Sequence, residues 1–282
     1  LYKPNLHLLT MGYVLEKLVY FTTLYSFFRS KFSPRKTTSS DNRKTYNTLT
    51  PSQLFKSSLP LLLSSLSAVL YMKLDLIMIN MLLSSDKVGY YAAAARITET
   101  LYILPMLAGR LVFPALAKMY NSNKSYYFII LRSIIDITVI LALLVSGFFI
   151  FLSENIVLFA FGDTYQYSAT ILKVHILTFA SVSVGIFTSQ FYVLAGLQYL
   201  YFKISVLALL FNIICNFLLI PVFGGVGAAL ATLFSSVFIT VFSLLFSYHT
   251  KILFRLVCGS INIVSSIARM RQLRLSSFTS TQ

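Results

Sequence analysis

Apolar residues run along this chain in long blocks rather than in alternation. A bilayer's hydrocarbon core is about 30 Å thick, which takes about 20 helical residues at 1.5 Å each. Seven blocks reach that length: residues 6–28, 57–83, 90–116, 127–152, 168–193, 203–222 and 226–249. They are apolar on every face and lack the period-two pattern of barrel strands, so helices are expected. The prediction is an all-α, polytopic membrane protein with seven spans. The first block is the weakest, because it carries Glu16 and Lys17. Residues 29–53 form a basic, Ser/Thr-rich linker and residues 250–282 a basic tail. Within the tail, 252–267 is apolar but broken by Arg255, Gly259 and Asn262, which suits a helix lying at the interface better than a span.

Composition strengthens this picture. Of 282 residues, 57% are hydrophobic and 11% charged, against about 25% charged in soluble domains. Lys and Arg number 23 against 8 Asp and Glu. In a soluble protein that balance suggests nucleic acid; here the basic residues are spread over loops on one side, which fits nucleic acid poorly. Fifteen of them fall in residues 29–56, 117–126, 194–203 and 250–282, while the opposite set of loops holds Lys3 and Lys87. The rule that cytoplasmic loops are basic then places the start of the chain outside and its end inside. A chain that opens on Leu1, with an outside start and no signal peptide, is expected to be the C-terminal portion of a longer protein. Cys215 and Cys258 rule out a disulfide framework.

Ten ionisable residues fall inside the blocks: Glu16, Lys17, Lys73, Asp75, Arg96, Glu99, Arg110, Arg132, Asp136 and Lys173. Each costs roughly 2.5–3.5 kcal/mol at a span centre, so each is expected to face a cavity or a partner. Arg96 with Glu99 (i,i+3) and Arg132 with Asp136 (i,i+4) can neutralise each other on one helix face, the plain alternative to a substrate role. The adjacent Glu16 and Lys17 are expected to point apart. Arg110 and Lys173 lie within two turns of a span end, where snorkelling to the head groups is the default. Lys73 and Asp75 lie mid-span at i,i+2 and point to nearly opposite faces, so each needs a partner on another helix, water or a ligand. Six cations against four anions leave two net positive charges. A wet cavity lined by that excess would attract phosphate or pyrophosphate.

Pro105 and Pro114 each remove a helical hydrogen bond and favour kinks, whereas Pro60 is expected in a first turn, where proline is tolerated. Pro221 and the small residues from Gly224 to Ala229 allow two helices to turn tightly and pack closely. Asn212 and Asn216, at i,i+4, form a polar stripe that serves either as interhelical glue or as a substrate contact. There is no Walker A loop, no GxSxG elbow, and no metal-ligand spacing among His7, His175 and His249. Neither catalytic residues nor a cofactor nor a metal is therefore expected, and the chain reads as a non-enzyme.

Five motifs in order point to a family. Ser57–Ile79 (SSLPLLLSSLSAVLYMKLDLIMI) resembles the start of the second six-helix lobe of Wzx-type O-antigen and polysaccharide flippases. Val88-Gly89-Tyr90-Tyr91-Ala92-Ala93-Ala94-Ala95-Arg96 is similar to the family's VGxYxxAxR helix start. Leu104-Pro105 and Phe113-Pro114-Ala115-Leu116 match its proline sites, and Phe161-Gly162 with Tyr165 its outer loop. Asn212–Leu230 (NIICNFLLIPVFGGVGAAL) looks like its NxxLNxxLIPxxGxxGAA block. Leu76 departs from the pattern, where a polar residue is usual after the aspartate.

The resemblance implies a two-lobe fold of about twelve helices. Residues 1–28 would be the last helix of the first lobe, 29–53 a cytoplasmic linker, 54–250 the second lobe and 251–282 a cytoplasmic tail. It implies translocation of a polyprenyl-pyrophosphate-linked oligosaccharide, an O-antigen (lipopolysaccharide) or other surface-polysaccharide repeat unit, across the bacterial inner membrane by alternating access. Lys73, Arg96, Arg110, Arg132 and Lys173 would meet the pyrophosphate, and Tyr71, Asn212 and Asn216 the sugars. Ion coupling, as thought for the family, suits Asp75. Implied partners are the lipid-linked substrate, membrane lipids, a polysaccharide polymerase and glycosyltransferases. The alternatives are a multidrug or lipid II-type exporter of the same superfamily, or a non-transporting scaffold of polysaccharide assembly.

Overall fold

The computed structural model describes residues 51–245 and 248–261, together with residues 11, 15–23 and 26. The chain divides into two compact units, Leu1–Leu49 and Thr50–Gln282. In the first, residues 15–23 form helix α1, with exposed side chains. Glu16 and Lys17 do not point apart: the Lys17 ammonium reaches Glu16 at 2.8 Å. Both side chains are long and exposed, so neighbouring positions on a helix can still curl together. Most of the expected span 6–28 lies outside the described residues.

The second unit is a helical bundle: α2 (Pro51–Leu82), α3 (Ser85–Leu101), α4 (Ile103–Ser122), α5 (Lys124–Phe161), α6 (Gln166–His175), α7 (Thr178–Leu194), α8 (Gln198–Phe223), α9 (Gly225–Thr240) and α10 (Lys251–Ile261). Four runs are long and apolar enough to cross a membrane: Ser58–Leu82, Ser85–Ser122, Lys124–Phe161 and Gln198–Phe223. A fifth is made by Asp163–His175 and Thr178–Leu194, bent by 45°. The described residues thus hold four or five candidate spans, which does not confirm the expected seven, one of which lies mostly outside the described residues. The block 226–249 is interrupted because α9 stops at Thr240 after 16 residues. Hydropathy cannot see that stop, since the residues on both sides of it are apolar.

Proline accounts for one break and not for another. Pro105 has no N–H to offer the Leu101 carbonyl, and the helix breaks at Tyr102, between α3 and α4. Pro60 is not in a first turn, because α2 begins six residues earlier than expected, at Pro51, a favoured residue for a first helical position. The bend between α6 and α7 contains neither Pro nor Gly. Hydroxyls add to the backbone bonds there: Thr178 Oγ1 donates to His175 O at 2.6 Å, and Ile176 O accepts from Phe179 N–H at 3.0 Å and from Ser146 Oγ at 3.2 Å. Such donors are what make a broken helix tolerable inside a membrane.

Two buried clusters fill the bundle. One gathers Ile79, Tyr91, Ala94, Ile171, Leu172 and Ile220; the other gathers Leu116, Tyr127, Leu131, Phe187, Phe191 and Leu253. Lipid tails are as apolar as Leu, so close backbone approach matters more here than burial as such. Gly224, at φ 61°, turns α8 into α9. Gly227 then lies against the Leu219 carbonyl of α8, where a Cβ would overlap backbone. These contacts bring Thr232 of α9 beside α2 and α8.

Candidate functional site

One carboxylate is buried at the junction of four helices. Asp75 of α2 is 1% exposed. Its Oδ2 accepts from Tyr91 Oη of α3 at 2.6 Å and from Thr232 Oγ1 of α9 at 2.5 Å. Its Oδ1 accepts from Asn216 Nδ2 of α8 at 2.6 Å. The same Asn216 amide donates to Asn212 Oδ1 at 3.0 Å, and Tyr71 Oη donates to the Thr232 carbonyl at 2.7 Å. Isolated ionised carboxylates are prohibitively costly in a dry interior, and donors from three other helices meet this one.

The cluster is not sealed. Asp75, Tyr71, Tyr91 and Thr232 line a cavity of about 360 Å³, largely apolar, that extends to Glu99, Tyr102, His175 and Ser236. The His175 ring stands edge-on to Tyr91 with centroids 5.7 Å apart. Three buried polar atoms near the carboxylate have no hydrogen-bond partner: Asn212 Nδ2, Asn216 Oδ1 and His175 Nδ1. A site of hard oxygen atoms with spare lone pairs beside a carboxylate can hold a proton or a small monovalent cation.

The cations expected around such a cavity are elsewhere. Among the described residues, no Lys or Arg lines it. Lys73 stands on the opposite face of α2, as the i,i+2 spacing requires, with its ammonium 3.5 Å from Glu99 Oε2. Glu99 therefore meets α2 rather than its helix neighbour Arg96, which is exposed, as is Arg110. The Arg132 guanidinium packs over Gly259 of α10, in space that a side chain there would fill, and Asp136 is buried. Lys173 bonds Glu154 at 2.7 Å. Sequence reasoning ended that span at 152 and so missed Glu154. It also missed Tyr91 and Thr232, which carry no charge to draw notice.

The sequence matches the polysaccharide biosynthesis protein family over residues 4–120. It is 26% identical over 186 residues to a probable low-salt glycan biosynthesis flippase of Haloferax volcanii, covering 64% of this chain and 39% of that protein. A probable flippase of the same organism is 29% identical over 181 residues, covering 61% and 37% respectively. Over part of its length the chain is thus similar to a polysaccharide biosynthesis family and to two proteins named as probable flippases. An uncharacterised membrane protein of Methanocaldococcus jannaschii is 28% identical over 186 residues, covering 65% of this chain and 43% of that protein. The aligned part thus spans about two fifths of these relatives' length. No solved structure matches. The family match takes in Lys73, Asp75, Arg96, Glu99 and Arg110 and stops short of Arg132, Lys173, Asn212 and Asn216.

Proposed function

We propose that this multi-pass membrane protein acts in flipping a polyprenyl-pyrophosphate-linked oligosaccharide across the cytoplasmic membrane by alternating access. In this reading two tasks are kept apart. The inward-facing Asp75 cluster couples transport to a proton or monovalent cation, while exposed Lys73 and Arg96, joined by Arg110, meet the pyrophosphate. Arg132 and Lys173 serve at most as outlying contacts, since each already packs on Gly259 or Glu154. Asn212 and Asn216 belong with Asp75 rather than with sugar, and Tyr71 lines the cavity and donates to the Thr232 carbonyl.

The observation that carries the reading is the exposure of charge at depth. Lys73 lies nine residues from the end of α2 at Leu82, about 14 Å of helix, and its side chain is 52% exposed. Such a side chain does not face hydrocarbon; it faces water, substrate or another helical unit. The basic loops support an inside C-terminus. A polymerase and glycosyltransferases are the expected partners, because the substrate must be built on one leaflet and consumed on the other.

Exchanging Lys73→Ala and Arg96→Ala together is expected to cut surface polysaccharide strongly while leaving the protein in the membrane. Unchanged polysaccharide would remove both residues from the site. A scaffold role predicts something else: its loss leaves lipid-linked units able to cross, which a leaflet-accessibility assay reads directly. One feature favours a second reading, export of an organic cation. The cavity carries Asp75, Glu99 and the rings of Tyr71, Tyr91 and Tyr102, a suitable lining for a lipophilic cation. Tetraphenylphosphonium binding that is lost in Asp75→Asn would select that reading.

A further inference from the structure

We infer that Lys73 and Glu99 form an electrostatic lock at the rim of the cavity that sets how readily a monovalent cation reaches Asp75. The inference rests on reading Asp75 as the coupling site and adds how that site is regulated.

The geometry places one partner in the cavity lining and the other outside it. Glu99 lines the same cavity as Asp75, and its side chain is 20% exposed. Lys73 is absent from the lining and its side chain is 52% exposed. Their contact is loose. At 3.5 Å it is longer than the roughly 2.7–2.9 Å of a direct charge-assisted bond, and longer than the 2.7 Å of Lys173 with Glu154. The cavity's ionisable lining is otherwise Asp75, His175 and tyrosines, with no Lys or Arg among the described residues. Glu99 is the more exposed of the cavity's two carboxylates, so a cation entering from its side meets it before the buried Asp75. The Lys73 ammonium is the positive charge already held there, tethered two residues from Asp75 on the same helix.

Lys73 thus acts as a built-in competitor. With its ammonium on Glu99, the pair is neutral and offers a second cation no net attraction. When a cation displaces it, Glu99 holds the newcomer and Asp75 can take it up. Neutralising either partner must then shift cation affinity in opposite directions, which loss of a merely structural ion pair would not do.

The test is a sodium titration of the purified full chain in nanodiscs, read by tyrosine fluorescence, with a parallel proton titration in sodium-free buffer. The two arms separate sodium from protons as the ligand. Lys73→Gln is expected to tighten the apparent affinity and Glu99→Gln to weaken it, each on the order of three- to tenfold, as for a unit charge acting across a partly solvated rim. The double variant should return near the wild type. Asp75→Asn should abolish the response altogether. Shifts in one direction, or none, with a response that still needs Asp75, overturn the lock and leave the coupling site standing. A wild type that responds to neither ion overturns both.

Discussion

Asp75→Asn is expected to bring transport to background while the protein still folds and reaches the membrane. The substitution conserves size, and its amide can be accommodated. Its oxygen can accept from Asn216, and its NH2 can donate to the Tyr91 and Thr232 hydroxyls, which rotate and accept as well as donate. What is lost is the negative charge and the ability to take up and release a proton or a cation. Asp75→Leu should behave differently, because it strands the Asn216 amide and two hydroxyls inside the bundle, each an unpaired buried group costing about 1–3 kcal/mol. Lower protein levels in the Leu variant, beside normal levels and no surface polysaccharide in the Asn variant, are the expected pair of results. Near-normal polysaccharide in Asp75→Asn, measured at equal protein amount, would remove the carboxylate from the mechanism.

Gly227→Ala is expected to be the most damaging small substitution in the bundle. Its new methyl would overlap the backbone carbonyl of Leu219, and backbone cannot rotate away as a side chain can. The α8–α9 hairpin must open, which costs on the order of 1–3 kcal/mol for overpacking and more if the carbonyl loses its own hydrogen bond. Because α9 carries Thr232 and α8 carries Asn216, the damage reaches Asp75 directly. Gly147→Ala provides the control. It lies mid-helix in α5 with nothing within 4 Å of a new Cβ, so it should be neutral or slightly stabilising, given Ala's higher helix propensity. Thermal stability in detergent reads both variants. Equal melting temperatures would show that the hairpin is not packed as tightly as described.

How much of this could be read from the residues alone depends on what each signal encodes. Long apolar blocks announced a helical membrane protein, and five of the seven fall on helices or on the bent pair that qualifies as one crossing. The break at Thr240 escaped notice because hydropathy is uniform across it. The bend after His175 escaped as well, since neither Pro nor Gly marks it. The spacing of Lys73 and Asp75 told correctly that they cannot meet. It could not tell which faced inward, and a count of charges per span did not separate Asp75 and Glu99, which line the largely apolar cavity, from the cations, which among the described residues stand outside it. Only the fold brings Tyr91, Asn216 and Thr232, which are 16, 141 and 157 positions from Asp75, onto one carboxylate. The pairing of Glu99 with Lys73 rather than Arg96 is likewise a matter of helix packing.

The central claim is that an ion gradient acting through Asp75 drives a lipid-linked oligosaccharide across the bilayer. Its most direct test is a proteoliposome assay with a fluorescent polyprenyl-pyrophosphate oligosaccharide and an imposed sodium or proton gradient, scored by exposure of the sugar to an impermeant lectin. Gradient-dependent exposure in the wild type, absent in Asp75→Asn, is the predicted result. Exposure that ignores the gradient, or that is equal in the two proteins, would contradict the account.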